Sequence, residues 1–235
     1  ARRLCPQVIV VPPRMRAYTE ASRAVFEVFR DTTPLVEPVS VDEAFLDVGG
    51  LGRVSGTPVQ IGARLRERIR VDIGLPITVG IARTKFLAKV ASQEGKPDGL
   101  LLVEPDRELA FLHPLPVRRL WGVGAKTADK LRLHGIHTVA DVAELSETSL
   151  GAMVGPAMGR QLFALAHNID RRRVTLSPAP LLRCPMATSL ATWMRSGVAP
   201  LAESMGSAFK GFDNYESFEC RGRNRIAGAR TSEHG

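Results

Sequence analysis

Asp42 and Glu43 are adjacent carboxylates in the stretch Val39-Ser40-Val41-Asp42-Glu43-Ala44-Phe45-Leu46-Asp47-Val48. In a regular strand, successive side chains point to opposite faces, which would separate the two acids. The apolar parity argues for something else. Val39 and Val41 share one parity, while Ala44, Leu46 and Val48 share the other, with Phe45 apolar on both readings. A strand that changes parity needs a turn or bulge at the change. In a turn both carboxylates can face one side and share a hard cation such as Mg²⁺, which prefers oxygen ligands. The same dipeptide also suits the polar tip of an ordinary hairpin, since acidic residues are frequent in turns.

Other elements must hold that tip. Val8 to Val11 reads as a brief strand ended by Pro12-Pro13. Tyr18, Ala21, Ser22, Val25, Phe26 and Phe29 fall at helical spacing and predict a helix over 14–30 that packs on a sheet. The glycines and proline of 49–58 predict a loop, followed by a helix over 60–74 with Ile61, Leu65 and Ile69 on its inner face. Its arginines alternate with Glu67 and Asp72 and read as a solvated face. A strand over 77–82 leads to a helix over 85–92 with Thr84 as its N-cap and Phe86, Leu87 and Val90 inward. Lys85 and Lys89 share a face of that helix and read as solvated. Leu100 to Val103 is a further strand, and Pro105 opens a short helix to about Leu112. The strands imply a mixed sheet with helices on a face, in an α+β fold.

Pro114 and Pro116 mark a boundary, beyond which no strand pattern occurs for a long way. A helix, the turn Gly122-Val123-Gly124, a helix ending at His134-Gly135-Ile136 and further helices over 139–145, 146–154 and 157–169 make a small helical domain. The arrangement around the turn resembles a helix–hairpin–helix DNA-binding element. Glycines there let backbone amides approach a phosphate with no side chain in the way, beside a helix N-terminus. Lys126 and Lys130 add positive charge next to it, and one glycine alone would serve a plain connecting turn. After Pro180 the sequence has no sustained period and no internal repeat. A tail that is disordered or out of frame is expected there, cut rapidly by proteases after about residue 180.

The chain has 235 residues with 44% hydrophobic and 24% charged, enough for one large domain or two small ones. Its net charge of +8 suits a polyanionic partner. Cys5, Cys184 and Cys220 are odd in number and form no CxxC pair, which argues against a zinc site or a disulfide framework. Scattered free thiols fit a cytoplasmic setting. No apolar run approaches the ~18 residues of a membrane helix.

Three blocks, in order, carry a family resemblance: Ser40-Val41-Asp42-Glu43-Ala44-Phe45-Leu46-Asp47-Val48, then Pro76 to Ser92 with Gly95-Lys96-Pro97-Asp98-Gly99, then Trp121-Gly122-Val123-Gly124. Together they resemble the Y-family translesion DNA polymerases. The resemblance covers roughly residues 1–175. It implies palm and fingers over 1–114, a helical thumb over 115–175, and a linker and tail over 176–235 in which the family's little finger is not recognisable. It implies two Mg²⁺ ions, a deoxynucleoside triphosphate and a primer–template. Asp42 and Glu43 would be the catalytic metal carboxylates, with Asp42 bridging the ions and Glu43 serving the primer end. Lys96 would contact the triphosphate, and Gly122, Gly124, Lys126 and Lys130 the DNA. The family's third carboxylate, its sugar-screening residue and its triphosphate-gripping Tyr and Arg lie on an earlier strand, expected before Ala1. Asp47 is read as structural rather than as a substitute. The chain is therefore expected to be a fragment that polymerises poorly by itself. A sliding clamp is bound through the family's C-terminal region, and the tail gives that contact no support. The rival reading is a non-catalytic DNA-binding protein that keeps a vestigial palm.

Overall fold

The computed structural model describes residues 5, 7–9 and 11–176. Its elements in order are α1 (Met15–Thr32), β1 (Val36–Pro38), β2 (Ala44–Leu46), α2 (Gly52–Ser55), α3 (Pro58–Ile73), β3 (Val79–Ile81), α4 (Lys85–Glu94), β4 (Leu100–Leu102), α5 (Glu108–Leu112), α6 (Ala125–Leu133), α7 (Val139–Ala143), α8 (Glu147–Val154) and α9 (Pro156–Ala166). Short 3₁₀ turns precede α5 and α6. The class is α+β, with the strands in two small sheets: β1–β2 antiparallel and β3–β4 parallel.

Local chemistry explains most boundaries. Thr57 caps α3 reciprocally with Gln60, with Pro58 at the first helical position. Gly74 ends α3 in the left-handed region. Thr84 accepts the Leu87 N–H and starts α4 as its spacing predicts. One expectation fails: Ile9 and Val11 are exposed and belong to no strand, because a β-branched run without a neighbouring strand has nothing to pair with. The loop expected over 49–58 contains the single-turn helix α2.

Two apolar cores hold these parts. The smaller joins Val25, Phe26, Val28 and Phe29 of α1 to Leu65 and Ile69 of α3 under β1. The larger starts on α4 with Phe86, Leu87 and Val90 and continues through Leu112, Leu120, Leu131, Val142, Leu150 and Leu162. It therefore runs across the proline boundary, so the helical region is packed onto α4 rather than strung from it. Gly80 in β3 makes the contact possible. A Cβ there would lie 2.1 Å from the Ala88 carbonyl oxygen, so α4 rests directly on the strand backbone. Among the described residues, no helix is long and apolar enough to cross a membrane.

Candidate active site

Asp42 and Glu43 sit at the tip of the β1–β2 hairpin, as the parity change requires. The register pairs Val36 with Leu46, Glu37 with Phe45 and Pro38 with Ala44. The Val39 and Ser40 amides both donate to the Glu43 carbonyl oxygen, at 2.8 and 3.2 Å, closing the turn. Ser40 Oγ donates to Asp42 Oδ1 at 2.5 Å. Asp42 Oδ2 is buried with no hydrogen-bond partner. The other such oxygen among the described residues, Glu94 Oε1, lies 2.5 Å from Arg119 Nε and is at least ion-paired. Among the described residues Asp42 Oδ2 alone is bare.

Burial pushes the Asp42 carboxyl above its ordinary pKa; the Ser40 hydrogen bond opposes this and the charge of Glu43 reinforces it. Lys96, on the loop after α4, is largely buried and lies in the field of both carboxylates. Desolvation holds its ammonium below the usual lysine range, and Glu43 and Asp42 oppose that shift. A desolvated lysine facing two acids is a strong partner for phosphate oxygens. A bare, buried carboxylate oxygen beside a second acid is the donor set a hard cation takes. The residues present thus fit part of a divalent metal site. Among the described residues no group of three His, Cys, Asp or Glu side chains is placed to hold one. Asp47 does not join the pair: its Oδ1 accepts the Gly49 N–H at 2.8 Å and its carbonyl accepts Thr33 Oγ1 at 2.6 Å, a structural role as expected.

The expectation that Lys85 and Lys89 are solvated is overturned. Lys85 Nζ donates to Glu37 Oε1 at 2.5 Å and lies 4.9 Å from the centroid of the Phe45 ring. Lys89 Nζ donates to Glu43 Oε2 at 2.7 Å and lies 5.5 Å from the Trp121 ring centroid. Helical spacing put both lysines on one face, but the acids that cover that face come from β1 and the hairpin tip, distant in sequence. The arginines of α3 are held by the protein itself: Arg68 pairs with Asp31 at 2.7 Å, Arg70 with Glu67, and Arg66 with Asp98.

The glycine turn lies next to this site. Phe45 of β2 stacks on Trp121, centroids 6.2 Å apart, and Gly122 follows directly. Gly122 has φ +95°, a conformation that side-chain-bearing residues rarely adopt. Gly124 caps α6 with no side-chain hydrogen bond, and a Cβ there would meet nothing within 4 Å. Lys126 and Lys130 are exposed on α6, whereas Arg132 pairs with Asp129 at 2.7 Å.

Sequence reasoning missed the seam that fixes the helical region to α4. Asp170 Oδ2 accepts the Phe86 N–H at 3.0 Å, and Asp170 also receives Arg172 Nε and Nη2 at 2.7 and 2.8 Å. Arg172 in turn lies 4.4 Å from the Trp121 ring centroid. Glu108 accepts from Arg83 and from Asn168, and Asn168 Oδ1 accepts Thr84 Oγ1. The run Asp170-Arg171-Arg172-Arg173 was visible only as the end of a helical region.

Comparison with known proteins adds an independent line. Residues 1–93 match the impB/mucB/samB family and residues 105–136 the IMS family HHH motif. Residues 153–235 match the Extensin-like protein C-terminus, and the expected disorder, broken frame and protease sensitivity of the tail fall outside the described residues. DNA polymerase IV 2 of Mesorhizobium japonicum is 47% identical over 174 residues, 74% of this chain and 42% of that protein. DNA polymerase IV of Streptomyces coelicolor is 46% identical over 176 residues, 74% of this chain and 37% of that protein. DinB from Sulfolobus solfataricus superposes with a TM-score of 0.66 at 28% identity, covering 74% of this chain and 51% of its own. An insertion ternary complex of Dbh DNA polymerase gives 0.65 at 28% identity, with coverages of 74% and 51%. The chain spans about half the length, or less, of these relatives.

Proposed function

The chain belongs to the impB/mucB/samB family of Y-family DNA polymerases, and on that premise we propose that it serves error-prone, template-directed DNA synthesis by nucleotidyl transfer. In this reading residues 1–114 are palm and fingers, residues 115–175 are thumb, and the setting is the cytoplasm. The observation that carries the site assignment is the bare, buried Asp42 Oδ2 beside Glu43 at the hairpin tip. The steps that the residues of this chain would carry in that reaction are nucleotide and primer–template binding.

Phosphoryl transfer asks a protein mainly for positioning and charge neutralisation. Divalent cations, two Mg²⁺ in this reading, would supply most of the charge when bound. Asp42 and Glu43 present the oxygens that hold them. Lys96 directs its ammonium to the triphosphate. Gly122, Gly124 and the uncapped start of α6 offer backbone amides to a DNA phosphate, and Lys126 and Lys130 add charge that reads no sequence. The occurrence of Dbh DNA polymerase in an insertion ternary complex supports DNA and a nucleotide as partners of this fold.

The test is Mg²⁺-dependent binding of a fluorescent deoxynucleoside triphosphate to the whole chain. Asp42→Ala and Lys96→Ala are expected to weaken it roughly tenfold or more, the worth of one charged hydrogen bond. Substitutions at Gly122 or Gly124 are expected to spare nucleotide binding and weaken duplex binding. Nucleotide binding unchanged in both Asp42→Ala and Lys96→Ala would point instead to a DNA-binding protein with a vestigial palm.

A further inference from the structure

Lys89 belongs to no role assigned so far. It projects from α4, and its ammonium is 2.7 Å from Glu43 Oε2 with 28% of the side chain exposed, against 20% for Glu43. Its other neighbour is the ring of Trp121, 5.5 Å from Nζ to centroid. A ring face attracts a partly desolvated cation, so Lys89 is held from two sides. Trp121 is held as well, by the ring of Phe45 and by Arg172, which Asp170 ties to the start of α4. Contacts thus run from Glu43 through Lys89, Trp121, Arg172 and Asp170 back to the helix that bears Lys89.

A half-buried carboxylate needs a positive partner. Lys89 supplies one to Glu43, at an oxygen that a cation shared with Asp42 would also claim. A divalent ion and an ammonium on one carboxylate repel each other strongly in a partly dry site. We propose that Lys89 is a positioning residue that holds and aims the Glu43 carboxylate until a divalent cation displaces its ammonium, and that Trp121 senses the exchange. This rests on the reading of Asp42 and Glu43 as metal carboxylates.

The experiment uses the whole chain with Trp193→Phe, leaving Trp121 as the single tryptophan, of the two in the sequence. Mn²⁺ binding is followed by electron paramagnetic resonance, and Trp121 emission is followed in the same titration. The expected result is an emission change with the same midpoint as Mn²⁺ binding. Lys89→Met is expected to bind Mn²⁺ about fivefold more tightly, the upper range for a partly exposed charge pair, and to lose the emission change. Lys89→Arg keeps a cation on Glu43 and is expected to restore weaker binding and the emission change; it also decides the question if Lys89→Met does not fold. Mn²⁺ binding lost in Asp42→Ala but not tightened in Lys89→Met overturns the role of Lys89 alone. So does native emission that ignores saturating Mn²⁺. No Mn²⁺ binding by the native chain, or binding indifferent to Asp42→Ala, overturns the carboxylate reading and the role of Lys89 with it.

Discussion

The seam at 167–175 and the tip of the β1–β2 hairpin both gather buried acids, and they treat them in opposite ways. In the seam every acid is answered. Asp170 takes an amide and a guanidinium, Glu108 takes Arg83 and Asn168, and Glu37 takes Lys85 with the Thr175 amide and hydroxyl. At the tip Asp42 keeps one oxygen bare. The carboxyl pKa values divide accordingly. Burial pushes Asp170 and Glu37 up, but hydrogen bonds from Arg172, Lys85 and Thr175 outweigh it, and both end below the ordinary range. The Arg83 bonds bring Glu108 down directly. Asp42 stays above its range because burial, reinforced by the charge of Glu43, outweighs the Ser40 hydrogen bond. Acids that hold a fold together are satisfied inside it; an acid left wanting is available to a ligand.

The largest expected effect breaks the seam. Asp170→Ala strands the Phe86 amide and the Arg172 guanidinium together, and should cost about 2–3 kcal/mol in urea unfolding of the whole chain. A loss under about 0.5 kcal/mol would make the seam ornamental. The same acids predict the pH response. A carboxylate with a depressed folded pKa contributes stability above its unfolded pKa, and that stability is lost as pH falls through the folded value. Stability should therefore fall steadily below about pH 4, the ordinary carboxylate range, and the fall should be shallower in Asp170→Asn. Asp42 carries the opposite sign. Its raised pKa means that its charge costs stability at neutral pH, a cost relieved on acidification. In metal-free buffer Asp42→Asn should gain about 0.5–1 kcal/mol at pH 7, as removal of strained functional groups commonly does. The gain should shrink towards zero near pH 3, where the native acid is itself protonated. A gain that persists at pH 3 would assign it to packing rather than charge.

The tip was legible in the sequence because a parity change is a local signal: Val39 and Val41 against Ala44, Leu46 and Val48. The helices were legible from the spacing of Phe26 and Phe29, of Leu65 and Ile69, and from caps such as Thr84. The seam was not, since Asp170 and Phe86 are 84 residues apart and no periodicity encodes their meeting. Lys85 and Lys89 were misread for the same reason. A lysine pair on a helix face looks solvated until the strand that covers it is known. Phe45 was ambiguous by parity because it serves no apolar core; it faces Trp121 and Lys85 instead.

The two glycines of the turn carry the comparison to its finest scale. Gly122 is required by the fold: at φ +95° an alanine is strained, and Gly122→Ala should cost about 1 kcal/mol whatever its effect on DNA. Gly124 is not required. Its φ is −83°, and the space where a Cβ would stand is empty. A serine there would fit, and its hydroxyl would cap α6, where no side chain does so now. Gly124→Ser should therefore raise stability by a few tenths of a kcal/mol, about the usual difference between serine and glycine at this position. It should also weaken duplex binding about tenfold at fixed salt, because the hydroxyl takes the amides that a phosphate would use. Duplex binding unchanged in a stabilised Gly124→Ser would mean that the open start of α6 is a connecting turn after all. Thr57, Thr84, Thr138 and Ser146 cap α3, α4, α7 and α8, whereas α1, α2, α5, α6 and α9 all start without a side-chain cap, so only the loss of duplex binding in Gly124→Ser separates a phosphate site at α6 from an ordinary uncapped helix start.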